Sequence, residues 1–309
     1  MMTVPPPPSS RQIRAAFLMI ALGGLLFTLD LPLLRLSMAD QWTMVFVRGI
    51  LLFLAIAALW LMARAGGDKT PFIGGKAGIA VALCSTLGNM AYIGAVAHTP
   101  AANVVFLIAL TPVLTAALTR ITLGEKVHGF TWTATLAAFA GAAIIASDGL
   151  RTGNWAGDGL AFVSAFCSAT IFTIIRASGK KMATSLALGS LSSSMVALAF
   201  FTVSPFSILA PGYEGLPALF WLALNGLVAI PLGTVLLARG PRLLPSADVS
   251  MFFMLETVLT PVWVWLLFGE TPSERVMTGG SIVVVALLGH SWWRLASSAR
   301  NPAAIAQNN

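Results

Sequence analysis

Three ionisable residues lie inside long apolar stretches: Asp30, Arg48 and Glu256. A charge in hydrocarbon is costly and is kept where it is paired, hydrated or used, so each is a candidate for binding or coupling. Asp30 and Arg48 stand nine positions before and nine after residue 39, the centre of the link between two apolar runs. An antiparallel hairpin places both at equal depth, about 8–10 Å below the nearer membrane surface at 1.5 Å of rise per residue. A charge-assisted hydrogen bond is then in reach. It reads either as a bridge fixing two helices or as a gate that opens when solute or a proton replaces one partner. Glu256 falls about 15 Å into its own run, near the bilayer centre. A carboxyl at that depth either carries a proton or finds a cation. That suits proton coupling or an amine counter-ion, and equally a protonated acid hydrogen-bonded to a neighbouring helix.

The neutral polar groups are Asn89, Tyr92, Asn103 and Asn225. Asn89 and Tyr92 share one helix face at i,i+3 spacing. Amides and phenols bind polar or zwitterionic solutes without adding charge, and they also tie membrane helices together at about 0.6 kcal/mol per bond. Ser190, Ser193 and Ser194 read as a close-packing face. Glu125 and Glu270 each follow a Gly and open a helix, where an acidic side chain complements the positive helix end. His98, His128 and His290 have no Cys or carboxylate at ligand spacing, so no metal is expected. Cys84 and Cys167 lie far from any CxxC pattern and read as packing residues. The chain has no G-x-x-x-x-G-K-[ST] loop for ATP phosphates. No nucleophile–base set or carboxylate pair can be assembled either. An enzyme is not expected, nor is a cofactor.

What positions these groups is set by composition. The 309 residues are 57% hydrophobic and only 9% charged, against about 25% charged in soluble domains. The mean hydropathy is +0.87. Crossing a bilayer takes about 20 apolar residues as helix, and ten runs qualify: 15–34, 43–63, 76–97, 101–122, 127–147, 158–177, 184–204, 217–238, 247–268 and 273–293. The first is too long for a signal-peptide core and lacks a small-residue cleavage site, so it reads as a retained span. Trp42 and Trp60 flank the second run about 27 Å apart, as interfacial belts do. Residues 1–14 read as a disordered Pro-rich tail and 294–309 as a second tail; with no room for a soluble module, the expected architecture is all-α integral membrane.

Net charge of +7 invites a nucleic-acid reading, but the basic residues sit at the ends of apolar runs. With ten spans, fourteen of the 18 Lys and Arg fall on the side of the N-terminus, three (Arg35, Arg151, Arg275) on the other, and Arg48 lies within a span. By the positive-inside rule both termini are cytoplasmic, and no nucleic-acid partner is expected.

The chain also repeats. At a shift of 145 residues, Pro100-Ala-Ala-Asn-Val104, Leu110-Thr-Pro-Val-Leu-Thr115 and Gly124-Glu125 correspond to Pro245-Ser-Ala-Asp-Val249, Leu255-Glu-Thr-Val-Leu-Thr260 and Gly269-Glu270. Ten of 34 positions match between 100 and 133. Repeats of this kind mark duplicated units, here 15–147 and 158–293. Five spans per unit reverse direction, so the second copy is threaded upside down, an arrangement recurrent among secondary transporters with a midplane site between the halves.

Those residues, together with Leu26-Phe-Thr-Leu-Asp-Leu-Pro-Leu-Leu-Arg35, Phe46-Val-Arg48, Gly88-Asn-Met-Ala-Tyr92 and Thr99-Pro-Ala-Ala-Asn103, resemble the EamA-type transporters of the drug/metabolite transporter superfamily. The resemblance implies a ten-helix inner-membrane carrier that moves small metabolites, often outward, without ATP. It also implies a cavity lined by spans one, three, four, six, eight and nine. Two positions depart from the usual pattern. Asp30 stands where Asn is common, and Thr257 follows Glu256 where Pro is frequent. The expected function is export of a small metabolite such as an amino acid by alternating access. An uptake carrier is the alternative, a non-transporting assembly subunit or a lipid-linked enzyme the remoter ones. The expected partners are a small solute and membrane lipid, and a homodimer is compatible with the sequence.

Overall fold

Apolar runs that meet no water must satisfy their backbone groups internally, and helix does this within each segment. The computed structural model describes residues 10–124, 128–147, 155–200, 211–212, 215–240, 249–268 and 274–300. Among these residues every regular element is helical. They comprise α1 (Ser10–Phe27), α2 (Asp30–Ser37), α3 (Gln41–Ala65), α4 (Lys76–His98), α5 (Ala101–Ile108), α6 (Thr111–Leu123) and α7 (Gly129–Ala146). The second half comprises α8 (Trp155–Ser178), α9 (Ala183–Ala199), α10 (Ala218–Ala223), a π-helical segment (Leu224–Ala229), α11 (Ile230–Leu237), a 3-10 turn (Met251–Phe253), α12 (Met254–Phe268) and α13 (Glu274–Arg300).

Among the described residues six helical rods are long and apolar enough to cross a membrane: Ala15–Ser37, Gln41–Ala65, Lys76–His98, Asn103–Leu123, Trp155–Ser178 and Ala218–Leu237. Four shorter apolar helices accompany them, Gly129–Ile144, Ala183–Ala199, Val258–Leu267 and Met277–His290. Leu54, Leu61, Leu83, Leu87, Val285 and Leu288 are exposed on their outer faces. In water such a surface would associate; it is the surface of a multi-pass membrane protein.

Three of the six long rods are discontinuous, and each break has a proline just beyond it. The first breaks at Thr28–Leu29, ahead of Pro32 in the opening turn of α2. The fourth breaks at Ala109–Leu110, ahead of Pro112. Pro231 opens α11 after the π-helical segment. Proline removes a backbone donor and clashes with the preceding turn, but a first turn tolerates it. Thr28 Oγ1 donates to the Leu25 carbonyl at 2.7 Å, satisfying an acceptor at the first break. The runs read from the sequence as continuous are thus jointed. The ends also differ. Helix begins at Ser10, inside the stretch read as a tail, and α13 continues to Arg300, past the expected boundary at 293. Glu125, Glu270 and the Pro245 segment of the repeat lie outside the described residues.

Helices from the two repeats alternate in space. α4 packs chiefly on α8, α3 on α9, α7 on α13 and α1 on α11. Exchanging the two halves maps the α4–α8 pair onto the α1–α11 pair and the other two pairs onto themselves. Small residues allow the close approaches, as Gly49 of α3 does against Ser190 and Ser194 of α9, a membrane-helix device. Ser194 Oγ donates across this contact to the Phe46 carbonyl at 3.0 Å. Among the described residues the largest apolar cluster includes Leu31, Leu34, Val47, Ile93, Val105 and Leu222.

Candidate functional site

Asp30 opens α2 just past the first helix break, and Arg48 lies two turns into α3, whose start is fixed by Asp40. That carboxylate accepts from the backbone N–H groups of Trp42 at 2.9 Å and Thr43 at 3.1 Å, an N-cap. The hairpin brings Arg48 Nη2 within 2.7 Å of Asp30 Oδ2, with both residues about 95% buried. Asn225, from the π-helical segment, closes the pair. Its Oδ1 accepts from Arg48 Nε at 3.1 Å and its Nδ2 donates to Asp30 Oδ1 at 2.7 Å. Arg48 Nη1 donates to Asn89 Oδ1, and Asn89 Nδ2 donates to Ser193 Oγ at 2.7 Å. The network is neutral and well satisfied, as buried charge must be.

Tyr92 lies one turn along α4 from Asn89. Its ring centroid is 5.9 Å from the Arg48 guanidinium carbon, and its hydroxyl donates to Glu256 Oε1 at 3.1 Å. Asp30, Arg48, Asn89, Tyr92, Asn225 and Glu256 therefore form one contiguous polar assembly drawn from both repeats. Asn103 stands apart. Its Nδ2 donates to Asp158 Oδ1 at 3.1 Å, and Thr99 Oγ1 donates to the same oxygen at 2.6 Å. That cluster ties the ends of α4, α5 and α8 together.

A cavity of about 160 Å³ adjoins the assembly. Asp30, Arg48, Asn89, Tyr92 and Glu256 line one part of it. Phe27, Ile171, Phe172, Ile175, Leu186 and Leu237 line an apolar part, and Ser85, Ser164, Ser168, Ser190 and Thr234 interleave. It runs from the polar assembly toward the helix ends at Ile175, Leu186 and Ala238, the end that carries Arg64, Lys76, Lys180 and Arg239. In the opposite direction, beyond Asp30, lies the packed cluster that includes Leu31 and Leu34.

The serines were not legible as lining residues, although Ser164 and Ser168 at i,i+4 form a polar stripe in an apolar run. Ser193 and Ser194 do pack, whereas Ser190 also reaches the cavity. Asp158 carried a sequence signal too, an acid in the first turn of α8. His290 is buried and pairs through Nε2 with Thr131 Oγ1 at 3.1 Å, a contact between α13 and α7. Among the described residues no three His, Cys, Asp or Glu gather as metal ligands.

The model of the EamA-like transporter family matches residues 14–147 and 155–292. No curated protein matches the chain in sequence. A solved structure described as "Crystal structure of protein" is similar over 88% of this chain and 96% of its own, with a TM-score of 0.67 and 16% identity. That likeness bears on the fold.

Proposed function

The chain belongs to the EamA-like transporter family and is a membrane transporter of the drug/metabolite transporter superfamily, and from that premise we propose a secondary carrier that exports a small metabolite of amino-acid size by alternating access. Ten spans cross the inner membrane as two five-helix units of opposite orientation, with both termini in the cytoplasm. The paired contacts, which survive exchange of the halves, support the two-fold relation, and the basic residues support the orientation.

One observation carries the reading: a cavity between the halves, apolar along its length and bordered at its polar end by a neutral ion-pair network. Carriers of duplicated architecture bind solute at the interface of the repeats and rock one against the other. In this arrangement Asp30, Arg48, Asn89 and Asn225 form the outer seal, and the cavity is loaded from the basic, cytoplasmic face, the direction an exporter needs. Outward opening separates α2 and α3 from the π-helical segment and so breaks the Asn225 bonds. Tyr92 and Glu256 stand at the boundary between seal and cavity, where solute or a proton meets them first.

The test is a strain overproducing the protein, challenged with toxic metabolites and analogues, followed by counterflow of any protective compound in reconstituted vesicles. Resistance with saturable counterflow is expected. A purified, folded protein that moves no compound from the resistance screen, in either direction, would retire the carrier reading in favour of an assembly subunit.

A further inference from the structure

We propose that the cavity takes a small amphiphilic amine, bound as its cation at Glu256 and exchanged there for a proton. The inference rests on the carrier reading and narrows its substrate class.

Charge balance comes first. Among the described residues, the ionisable groups that share the cavity are Asp30 on α2, Arg48 on α3, Tyr92 on α4 and Glu256 on α12; the lining residues from α1, α5, α8, α9 and α11 are uncharged. Asp30 and Arg48 neutralise each other at 2.7 Å. Arg48 also spends Nε on Asn225 and Nη1 on Asn89. A solute carboxylate would therefore have to displace Asp30 from its cation and would sit beside two other carboxyls. Among the described residues Glu256 forms no ion pair; the partner it engages is the Tyr92 hydroxyl. Ionised, it needs a positive charge from outside the protein, because an uncompensated buried carboxylate is strongly disfavoured.

The hydrogen-bonding sense of the wall agrees. Ser85 Oγ donates to the Leu186 carbonyl at 3.0 Å and Ser190 Oγ donates to the same carbonyl at 3.3 Å. Both hydroxyl protons are engaged, which leaves these two wall oxygens with acceptor capacity. Acceptors suit an ammonium group, which has donors and no acceptor. The apolar part formed by Phe27, Phe172 and Leu237 takes a hydrocarbon body. A volume of about 160 Å³ is below the roughly 300–1,000 Å³ of clefts for drug-sized ligands, so the body is small.

The exchange balances. Protonated Glu256 plus an alkylammonium gives the carboxylate–ammonium pair and one proton released to solvent. Returning the proton discharges the amine. One carboxyl cannot hold both cations, so the two fluxes are coupled in opposite directions.

The experiment uses the full-length protein in detergent, with radiolabelled phenethylamine as probe, and unlabelled phenylalanine and 2-phenylethanol as competitors. About one proton is released per amine bound, and the apparent Kd falls about tenfold per pH unit while Glu256 remains protonated in the free protein. Phenylalanine and phenylethanol compete about tenfold more weakly than unlabelled phenethylamine, or worse. Glu256→Gln abolishes proton release and leaves residual binding independent of pH. Glu256→Asp keeps the release, a readout that survives if the Gln variant does not fold. Phenylalanine competing as well as the amine, binding by the wild type without proton release, or no amine binding would each overturn the proposal. Vesicles that carry phenylalanine without preferring the amine overturn it while leaving the carrier reading intact; vesicles that carry no compound from the resistance screen overturn both.

Discussion

At Arg48 a single side chain ties its own helix to three others, and its energetics follow from burial rather than from the count of its bonds. Taking the guanidinium and the Asp30 carboxylate out of water costs most of what their attraction returns. Removing one partner leaves the other charge buried without compensation. Arg48→Leu should therefore destabilise the protein by about 3–5 kcal/mol, and Asp30→Leu by a similar amount. Asp30→Leu combined with Arg48→Leu should recover most of the loss, since it removes both desolvation costs together. Denaturant unfolding in detergent measures this as a coupling energy; additive losses would show that the two groups do not depend on each other. The pairing of Asp30 with Arg48 was legible because depth along a hairpin follows from sequence spacing. The partner of Asn103 was not legible from residue type alone. An amide reads the same at any azimuth of a helix, and its real partner, Asp158, lies 55 residues away at the start of α8.

Single elements explain how polar groups reach the interior. The π-helical segment Leu224–Ala229 holds one residue more per turn than an α-helix would, a form that often marks functional sites. It turns Asn225 toward Asp30 while Pro231 caps the start of α11. Deleting the exposed Val228 restores a regular helix and rotates Asn225 by about 100° relative to α11. Folding should survive, because the apolar faces still meet lipid or helix. Transport should fall sharply, and counterflow beside a thermal melt separates the two effects; unchanged transport would show that Asn225 is spare. Apolar runs announced the rods, and the prolines at 32, 112 and 231 lay in plain view. The breaks were missed because a proline in a first turn and a proline in mid-helix look alike until the hydrogen bonds around it are known.

Across the whole molecule, helices of the two halves pack on one another beside a cavity that runs toward the basic end. Toward the basic end, Lys181 Nζ lies 2.5 Å from Asp68 Oδ2 and Lys180 Nζ donates to the Gly74 carbonyl at 3.1 Å, so the loop after α8 is tied to the loop after α3. Hydrogen bonds from Lys181 and Thr70 hold the Asp68 carboxyl well below the usual carboxylate range. A depressed value means the tie contributes above the unfolded pKa and is lost as pH falls through the folded one. The difference in unfolding midpoint between wild type and Asp68→Asn should stay constant between about pH 5 and 8 and shrink only in stronger acid; a difference that vanishes near neutrality would show that another group controls the tie. The repeat made the two-unit plan legible from sequence. Which end the cavity favours was not, since it depends on how side chains such as Leu31 and Leu34 fill space. That asymmetry can be read directly with a cysteine. In a background of Cys84→Ser and Cys167→Ser, Leu186→Cys lines the cavity toward the basic end. Leu34→Cys sits in the packed cluster. A membrane-impermeant maleimide should label position 186 in inside-out vesicles and spare it in right-side-out ones, while position 34 resists from both sides. A protective compound from the resistance screen should slow labelling at 186 by occupying the same space. Labelling at 186 from the outer face alone would invert the orientation. Resistance from both faces would mean that no aqueous path reaches α9, and the halves would then be a filled scaffold in which Glu256 and Tyr92 serve only to hold helices together.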